Sequence, residues 1–195
     1  GGGAAALIDL PELEITLNTV SRELEGFDMP NTVGILEGSD PELKHEYIVF
    51  SGHMDHVAPT TPNEAGDSIR NGADDDASGT IAVVELAEAF SMLAEPPRRS
   101  MVFLAVSGEE SGLWGSRVYA ERSRQRGEQI KGMLSLETIG YYSDQAGSQH
   151  YPFPFSYFYP KTGNFVGFVG NLSSWRLVRQ AVDAFRANTA FPSEG

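Results

Sequence analysis

Residues 47–55 read YIVFSGHMD, an apolar run followed almost at once by a histidine and a carboxylate. The apolar part, residues 47–50, shows no polar alternation, which is typical of a strand buried on both faces of a sheet. Such a strand needs a covering layer on each side. The stretch therefore predicts an α/β fold in which His53 and Asp55 stand at the end of a central strand.

The rest of the chain alternates between strand-like and helix-like patterns. Further strands are predicted at residues 13–17, 32–36, 101–106, 132–136 and 165–169. Helices are predicted at residues 78–93, 115–126 and 172–188. Strands that alternate with helices usually lie parallel, with the helices packed on both faces of the sheet. We therefore expect a three-layer α/β sandwich with a mostly parallel central sheet.

One connection, residues 141–164, is too long for an ordinary loop and is rich in aromatic residues, proline and glycine. It is predicted to be either a wall of the active site or a mobile loop. Its aromatic side chains and that of Trp114 could line an apolar substrate pocket, or could pack in the core or the loop. They are Tyr141, Tyr142, Phe153, Phe155, Tyr157, Phe158 and Tyr159.

The composition limits the possible functions. The 195 residues are enough for one domain, which we divide into a linker or edge segment at 1–30 and a catalytic domain at 31–195. The 14 basic and 27 acidic residues give a net charge of −13, which argues against nucleic acid as a partner because phosphate binding requires a cationic surface. The absence of cysteine excludes thiolate ligands and nucleophiles. No apolar run is long enough to span a membrane.

Several carboxylates stand where a predicted strand ends or a predicted helix begins. Ligands of open α/β sheets bind beyond the carboxyl ends of the strands, so these groups should meet His53 at one edge. Negative charge gathered in a cleft favours a divalent cation, and imidazole and carboxylate are ligands that Zn²⁺ accepts. The neighbours Asp74 and Asp76 are interpreted as turn and helix-cap residues. The carboxylates predicted to converge with His53 are Asp55, Asp75, Glu109, Glu110 and Glu137.

The combined motifs resemble those of the two-zinc exopeptidases of metallopeptidase clan MH. That clan includes the secreted bacterial leucine aminopeptidases and the glutamate carboxypeptidase group. The resemblance covers residues 31–185 and implies a zinc-dependent aminopeptidase that removes N-terminal residues from peptides through a metal-activated water. The motifs that carry it are His53-x-Asp55, GADDDASG at residues 72–79, Glu109-Glu110 and Leu136-Glu137.

The resemblance also implies a role for each residue at this edge. Asp55 would orient the imidazole of His53, and Glu109 would be the general base. Glu137 stands where these enzymes usually have an aspartate, which is one methylene shorter. The implied metal ligands are His53 and Glu137 for the first zinc, Glu110 for the second zinc, and Asp75 bridging both.

The second zinc of the family takes its last ligand from a histidine beyond the final predicted helix. The chain stops at Gly195, so we expect a catalytic domain that is incomplete at its C-terminus, holds at most one zinc tightly, and hydrolyses peptides slowly if at all. If two zinc ions bind, His150 is the residue expected to complete the site. His45 and His56 are predicted to be structural or exposed, because nothing in the sequence pairs with them.

Two other functions stay open. A zinc carboxypeptidase or dipeptidase of the same clan would need a cation to hold the substrate carboxylate, and Arg70 and Arg117 are candidates. A non-catalytic binding domain of this fold is the second alternative. The expected partner is a peptide, the oligomeric state does not follow from the sequence, and only the resemblance suggests a secreted or periplasmic location.

Overall fold

The computed structural model describes residues 29–195, so the strand predicted at residues 13–17 lies outside the described residues. No helix in this part of the chain has the length and apolar character needed to cross a membrane. The elements, in chain order, are β1 (Thr32–Leu36), β2 (Glu46–His53), α1 (Ala77–Ser91), β3 (Ser100–Val106), α2 (Trp114–Arg126), β4 (Gln129–Ser135), β5 (Val166–Gly167), α3 (Trp175–Asn188) and β6 (Ser193–Glu194).

The central sheet has four strands in the order β1-β3-β2-β4. Strand β2 is parallel to both of its neighbours, with Val49 opposite Val102 of β3 and Met133 of β4. Strand β1 is antiparallel to β3 and closes one edge of the sheet. The prediction of a mostly parallel sheet is therefore confirmed.

Helices cover both faces of this sheet. On one face, Val49 and Val102 are buried in a cluster against which Tyr119 of α2 packs. On the other face, Phe103 is buried beside Val83 of α1, with Phe50 packed against them. Because successive strand residues point to opposite faces, an apolar run such as residues 47–50 can supply both clusters. The three-layer α/β arrangement is confirmed.

The strand predicted at residues 165–169 differs from expectation. Only Val166–Gly167 is extended, and it pairs in parallel with β6 in a separate two-stranded sheet. Glycine disfavours strands, and this segment contains Gly167 and is followed directly by Gly170. Helix α3 packs on the small sheet, where the rings of Phe168 and Phe185 meet with centroids 5.4 Å apart.

The long connection at residues 141–164 folds back on itself. The N–H group of Ser143 donates to the carbonyl of Gly163 across 2.8 Å, which closes the loop near its base. Near its tip, the rings of Phe153 and Tyr157 meet edge to face, and both side chains remain largely exposed. Packing within the loop is therefore what the structure shows for Phe153 and Tyr157, whereas Tyr142 packs on Phe191 outside the loop.

Candidate metal centre

Three parallel strands deliver side chains to one edge of the sheet. Strand β2 ends at His53, and its next residue, Met54, donates its N–H to Val106 at the end of β3 across 2.9 Å. On the other side, Leu136 donates its N–H to Ser51 across 2.7 Å, which extends the pairing of β4 by one residue. Glu137 therefore emerges beside His53, and the loop after β3 starts beside them.

Asp76 ties this edge to the start of α1. Its buried carboxylate accepts the backbone N–H groups of His53 at 2.9 Å, Gly79 at 3.0 Å and Thr138 at 3.4 Å. The bond from Gly79 makes Asp76 the N-cap of α1. Asp74 bonds differently, because its carboxylate accepts the N–H of Gly140 across 2.7 Å. The two aspartates that flank Asp75 thus hold backbone in place.

Gly79 allows the helix to begin this close to the sheet. A Cβ atom at this position would overlap the carbonyl oxygen of Leu136 and the carboxylate of Asp76. Any side chain would therefore push the first turn of α1 away from β4 and would displace the cap. Gly79, the second glycine of the GADDDASG motif, therefore sets the position of Asp75, which lies just ahead of the helix.

The imidazole of His53 faces two carboxylates. Its Nε2 atom lies 3.1 Å from Oδ1 of Asp75 and 3.6 Å from Oε1 of Glu137. Two ligand atoms of a tetrahedral zinc, each about 2.0–2.1 Å from the metal, stand about 3.3 Å apart. Both separations are close to that value, so one ion fits between the three side chains. Glu137 reaches the group despite its additional methylene.

Asp76 also lies within 4.8 Å of the donor atoms of His53 and Glu137. Both of its oxygens already accept backbone N–H groups, however. Asp75 has its side chain about half exposed and faces Nε2 of His53 directly. We therefore regard Asp75 as the available donor and Asp76 as the carboxylate that holds the surrounding backbone.

Asp55 sets the orientation of His53 through its backbone. The Nδ1 atom of the imidazole lies 3.0 Å from the carbonyl oxygen of Asp55, so Nδ1–H donates and Nε2 keeps its lone pair for a metal. The carboxylate of Asp55 lies farther away, at 3.7 Å from Nδ1. It instead accepts the backbone N–H groups of Glu109 at 3.1 Å and Glu110 at 3.3 Å.

The negative charge of this edge is visible in two pKa shifts. Burial lowers the pKa of His53, but the hydrogen bond to the carbonyl of Asp55 and the charges of Glu137, Asp76 and Glu109 outweigh it, so that the pKa is raised. Burial raises the pKa of Glu137, and the charge of Asp76 adds to this effect. A divalent cation would relieve the repulsion among these carboxylates.

A second group of possible metal ligands lies next to His53, Asp75 and Glu137. His56, Asp75 and Glu110 offer donor atoms that all lie within 4.8 Å of one another. Nδ1 of His56 lies 3.0 Å from Oε1 of Glu110. His56 thus lies beside Glu110, a neighbour that the sequence did not indicate for it. Its position, directly after Asp55 at the end of a strand, was the signal that could have indicated it.

The other predicted residues lie at different distances from this edge. Glu109 points towards the first group, with its Oε2 atom 3.9 Å from Nε2 of His53. His45 belongs to a short 3-10 helix, Leu43–His45, ahead of β2. His150 lies in the long connection. Neither His45 nor His150 belongs to a donor group among residues 29–195.

The sequence model of Peptidase family M28 matches residues 31–166 of the chain. The chain belongs to this family. The resemblance to clan MH exopeptidases that rests on the sequence motifs is thus confirmed at the level of the family. The family is named for peptidases, and the cleft of this chain is built from one imidazole and several carboxylates.

The similar proteins include a bacterial protein and a fungal one. "Uncharacterized protein YfbL" of Escherichia coli (strain K12) is 39% identical over 139 residues, covering 68% of this chain and 41% of its own length. A "Probable zinc metalloprotease" of Pyricularia oryzae is 38% identical over 110 residues, covering 56% of this chain and 21% of its own. The chain therefore spans less than half the length of these relatives.

One solved structure that resembles the chain is "Aminopeptidase from Aneurinibacillus sp. strain AM-1". The similarity has a TM-score of 0.43 and 27% sequence identity, and it covers 60% of this chain and 26% of that one. Zinc is the metal in the name of the fungal relative. The two groups of described residues that could hold a metal, each with one histidine and two carboxylates, are donor sets that zinc accepts.

Proposed function

We propose that this chain is the catalytic part of a zinc-dependent aminopeptidase. The observation that carries the proposal is the position of Nε2 of His53, at 3.1 Å from Asp75 and 3.6 Å from Glu137, with Nδ1 engaged by the Asp55 carbonyl. An imidazole held in that tautomer and faced by two carboxylates is suited to bind zinc. Membership of Peptidase family M28 supports the same function.

The proposed roles of the side chains follow from their places at the edge. When bound, zinc would polarise the scissile carbonyl and make water acidic enough to lose a proton near neutral pH. Glu109 would accept that proton at a carboxylate oxygen and pass it to the nitrogen of the leaving amine. Its neighbour Glu110 lies beside His56 instead. Asp55 would keep both glutamates in place through their backbone N–H groups.

The charges around the cleft favour a substrate with a free amino group. Within residues 29–195, the lysine and arginine ion pairs involve only Glu37, Asp40, Glu46 and Glu128, none of which belongs to the donor groups. A cavity of about 250 Å³ beside His53 has no lysine or arginine in its lining. An α-ammonium group would be attracted to this edge, whereas a free carboxylate would be repelled.

Neither of the two arginines considered for a carboxypeptidase lines the cavity beside His53. The guanidinium of Arg117 lies 5.8 Å from the ring centroid of Trp114, on helix α2. Arg70 makes no ion pair within the described residues and is exposed. A zinc carboxypeptidase or dipeptidase remains the alternative that the experiment must separate from an aminopeptidase.

The test compares three substrates at high protein concentration, so that slow turnover is measurable. Leucine 4-nitroanilide has a free amino group, N-acetyl-leucine 4-nitroanilide lacks it, and an N-blocked dipeptide has only a free carboxylate. We expect zinc-dependent cleavage of the first substrate alone, lost on chelation and in Glu109→Gln. Cleavage of the blocked dipeptide alone would indicate a carboxypeptidase. Zinc binding with no hydrolysis of any substrate would indicate a binding domain.

A further inference from the structure

Two buried polar atoms in the cleft lack hydrogen-bond partners. They are Nδ1 of His56 and Oε1 of Glu110, and no described residue satisfies either one. The two atoms lie only 3.0 Å apart, yet their orientation does not meet the requirements of a hydrogen bond. Buried polar groups are nearly always paired, so two unpaired atoms that face the same point indicate a missing partner.

A divalent cation is a partner that both atoms would accept. A carboxylate oxygen and an imidazole nitrogen without its proton are both electron-pair donors, so neither can satisfy the other. Their separation of 3.0 Å is close to the distance of about 3.3 Å between two ligands of a tetrahedral zinc. Asp75 has a donor atom within 4.8 Å of each of them. It also faces Nε2 of His53 at 3.1 Å.

The ring of His56 is held against the loop that carries Asp75. Gly72 has a φ of +62°, a conformation that favours glycine, and its backbone lies directly against the ring. A Cβ atom on Gly72 would lie 3.0 Å from Cγ and 3.1 Å from Cδ2 of His56. The carbonyl of Gly72 in turn accepts the N–H of Ala77 at the start of α1. The imidazole is thus positioned by the same loop that positions Asp75.

We infer that His56 is the imidazole ligand of a second divalent cation, which it holds together with Asp75 and Glu110. All three ligands lie within the described residues, so the second position has the three protein ligands typical of a catalytic zinc site. His56 takes the place for which the sequence suggested His150. This inference rests on the zinc occupancy proposed above. It adds a ligand that the motifs did not predict, and it replaces the expectation from the sequence that this chain holds at most one zinc tightly.

The experiment counts zinc ions on the 195-residue chain by native mass spectrometry, after equilibration with buffered free Zn²⁺. We expect two zinc ions in the unaltered chain. In His56→Ala we expect one zinc to remain and the affinity for the second to fall by at least about 100-fold. The controls His45→Ala and His150→Ala should both retain two zinc ions. Cobalt substitution gives an independent readout, because loss of a nitrogen ligand changes the visible absorption of Co²⁺.

A second variant separates a ligand from a hydrogen-bonding role. The amide of His56→Gln could donate a hydrogen bond to Glu110 but is a poor ligand for zinc. Loss of the second zinc in His56→Gln supports coordination by His56. Two zinc ions in either His56 variant, or only one in the unaltered chain, would overturn the inference. No zinc at all in the unaltered chain would instead overturn the proposed function.

Discussion

The carboxylate of Asp55 accepts the backbone N–H of Glu109 across 3.1 Å, and it accepts that of Glu110 across 3.3 Å. Asp55 follows strand β2, whereas the two glutamates follow β3. One side chain therefore joins the ends of two neighbouring strands. The backbone carbonyl of the same residue orients the imidazole of His53. Asp55 thus places both a proposed metal ligand and the proposed base.

Replacing Asp55 should weaken zinc binding although the carboxylate is not expected to touch the metal. In Asp55→Ala the two N–H groups lose their acceptor, and we expect a loss in zinc affinity of about 10–100-fold. Asp55→Asn should lie between this variant and the unaltered chain, because its amide oxygen still accepts. Zinc titration by calorimetry gives the affinities. Asp67→Asn is a matched control, since Asp67 is exposed and its carboxylate accepts only the local N–H of Ile69 among the described residues. Equal affinities in all four proteins would contradict this role.

Glu109→Gln should separate metal binding from catalysis. The amide is nearly the same size as the carboxylate but cannot accept a proton, and general acid–base catalysis is typically worth about 10²–10⁴-fold. We expect kcat for leucine 4-nitroanilide to fall within that range while zinc content stays unchanged. Elemental analysis of the dialysed variant provides the zinc content. Loss of zinc along with activity would make Glu109 a ligand instead of a base.

Asp76 should be important for folding of the metal-free protein. Its carboxylate accepts three backbone N–H groups, and a buried donor that loses its acceptor costs about 1–3 kcal/mol. We expect Asp76→Ala to lower the free energy of unfolding by about 3 kcal/mol or more, and Asp76→Asn by less. Urea denaturation in the presence of a chelator measures this. Glu85→Gln, an exposed change on α1, should stay within about 0.5 kcal/mol of the unaltered chain.

Asp40 gives the stability a pH dependence far from the metal centre. The N–H groups of Leu43 and Glu42 and the guanidinium of Arg98 bond its carboxylate and lower its pKa from 3.8 to about 2. Because the pKa is lower in the folded state, this stabilisation is complete above about pH 4 and is lost as the pH falls through 2.

Asp40→Asn should therefore be less stable than the unaltered chain at pH 7, and the difference should shrink between about pH 4 and pH 2. Urea denaturation at a series of pH values, with chelator present, measures both curves. The matched control is Asp144→Asn, which alters an exposed aspartate that accepts one amide N–H, from Asn164. A difference that does not change with pH would show that the charge of Asp40 contributes nothing.

Much of the fold follows from local patterns in the sequence. Apolar runs such as the one around Val49 predicted the buried strands, because a strand covered on both faces needs apolar residues at successive positions. Strand β6 was not predicted, since two residues at Ser193–Glu194 carry no periodicity and pair with β5 from a distant segment. Register and pairing of such short strands depend on tertiary contacts that no local pattern encodes.

The sequence could predict which side chains of the site share one edge of the sheet, because the ends of the strands fix that. It could not predict how those side chains are oriented. The sequence placed His53 and Glu137 at a common edge, because parallel strands share a direction. It could not show that Asp55 orients His53 through its carbonyl instead of its carboxylate, since both groups belong to one residue. The direction of the His56 ring depends on Gly72, sixteen residues away, and was therefore missed.

The central claim is that His53, Asp75 and Glu137 hold a zinc ion at the carboxyl edge of the sheet. Anomalous diffraction at the zinc edge, from crystals of the zinc-loaded chain, locates the metal directly. We predict a peak about 2.0–2.2 Å from Nε2 of His53 and from a carboxylate oxygen of each of Asp75 and Glu137. A map with no peak at this edge, or with zinc only beside His45 or His150, would contradict the claim.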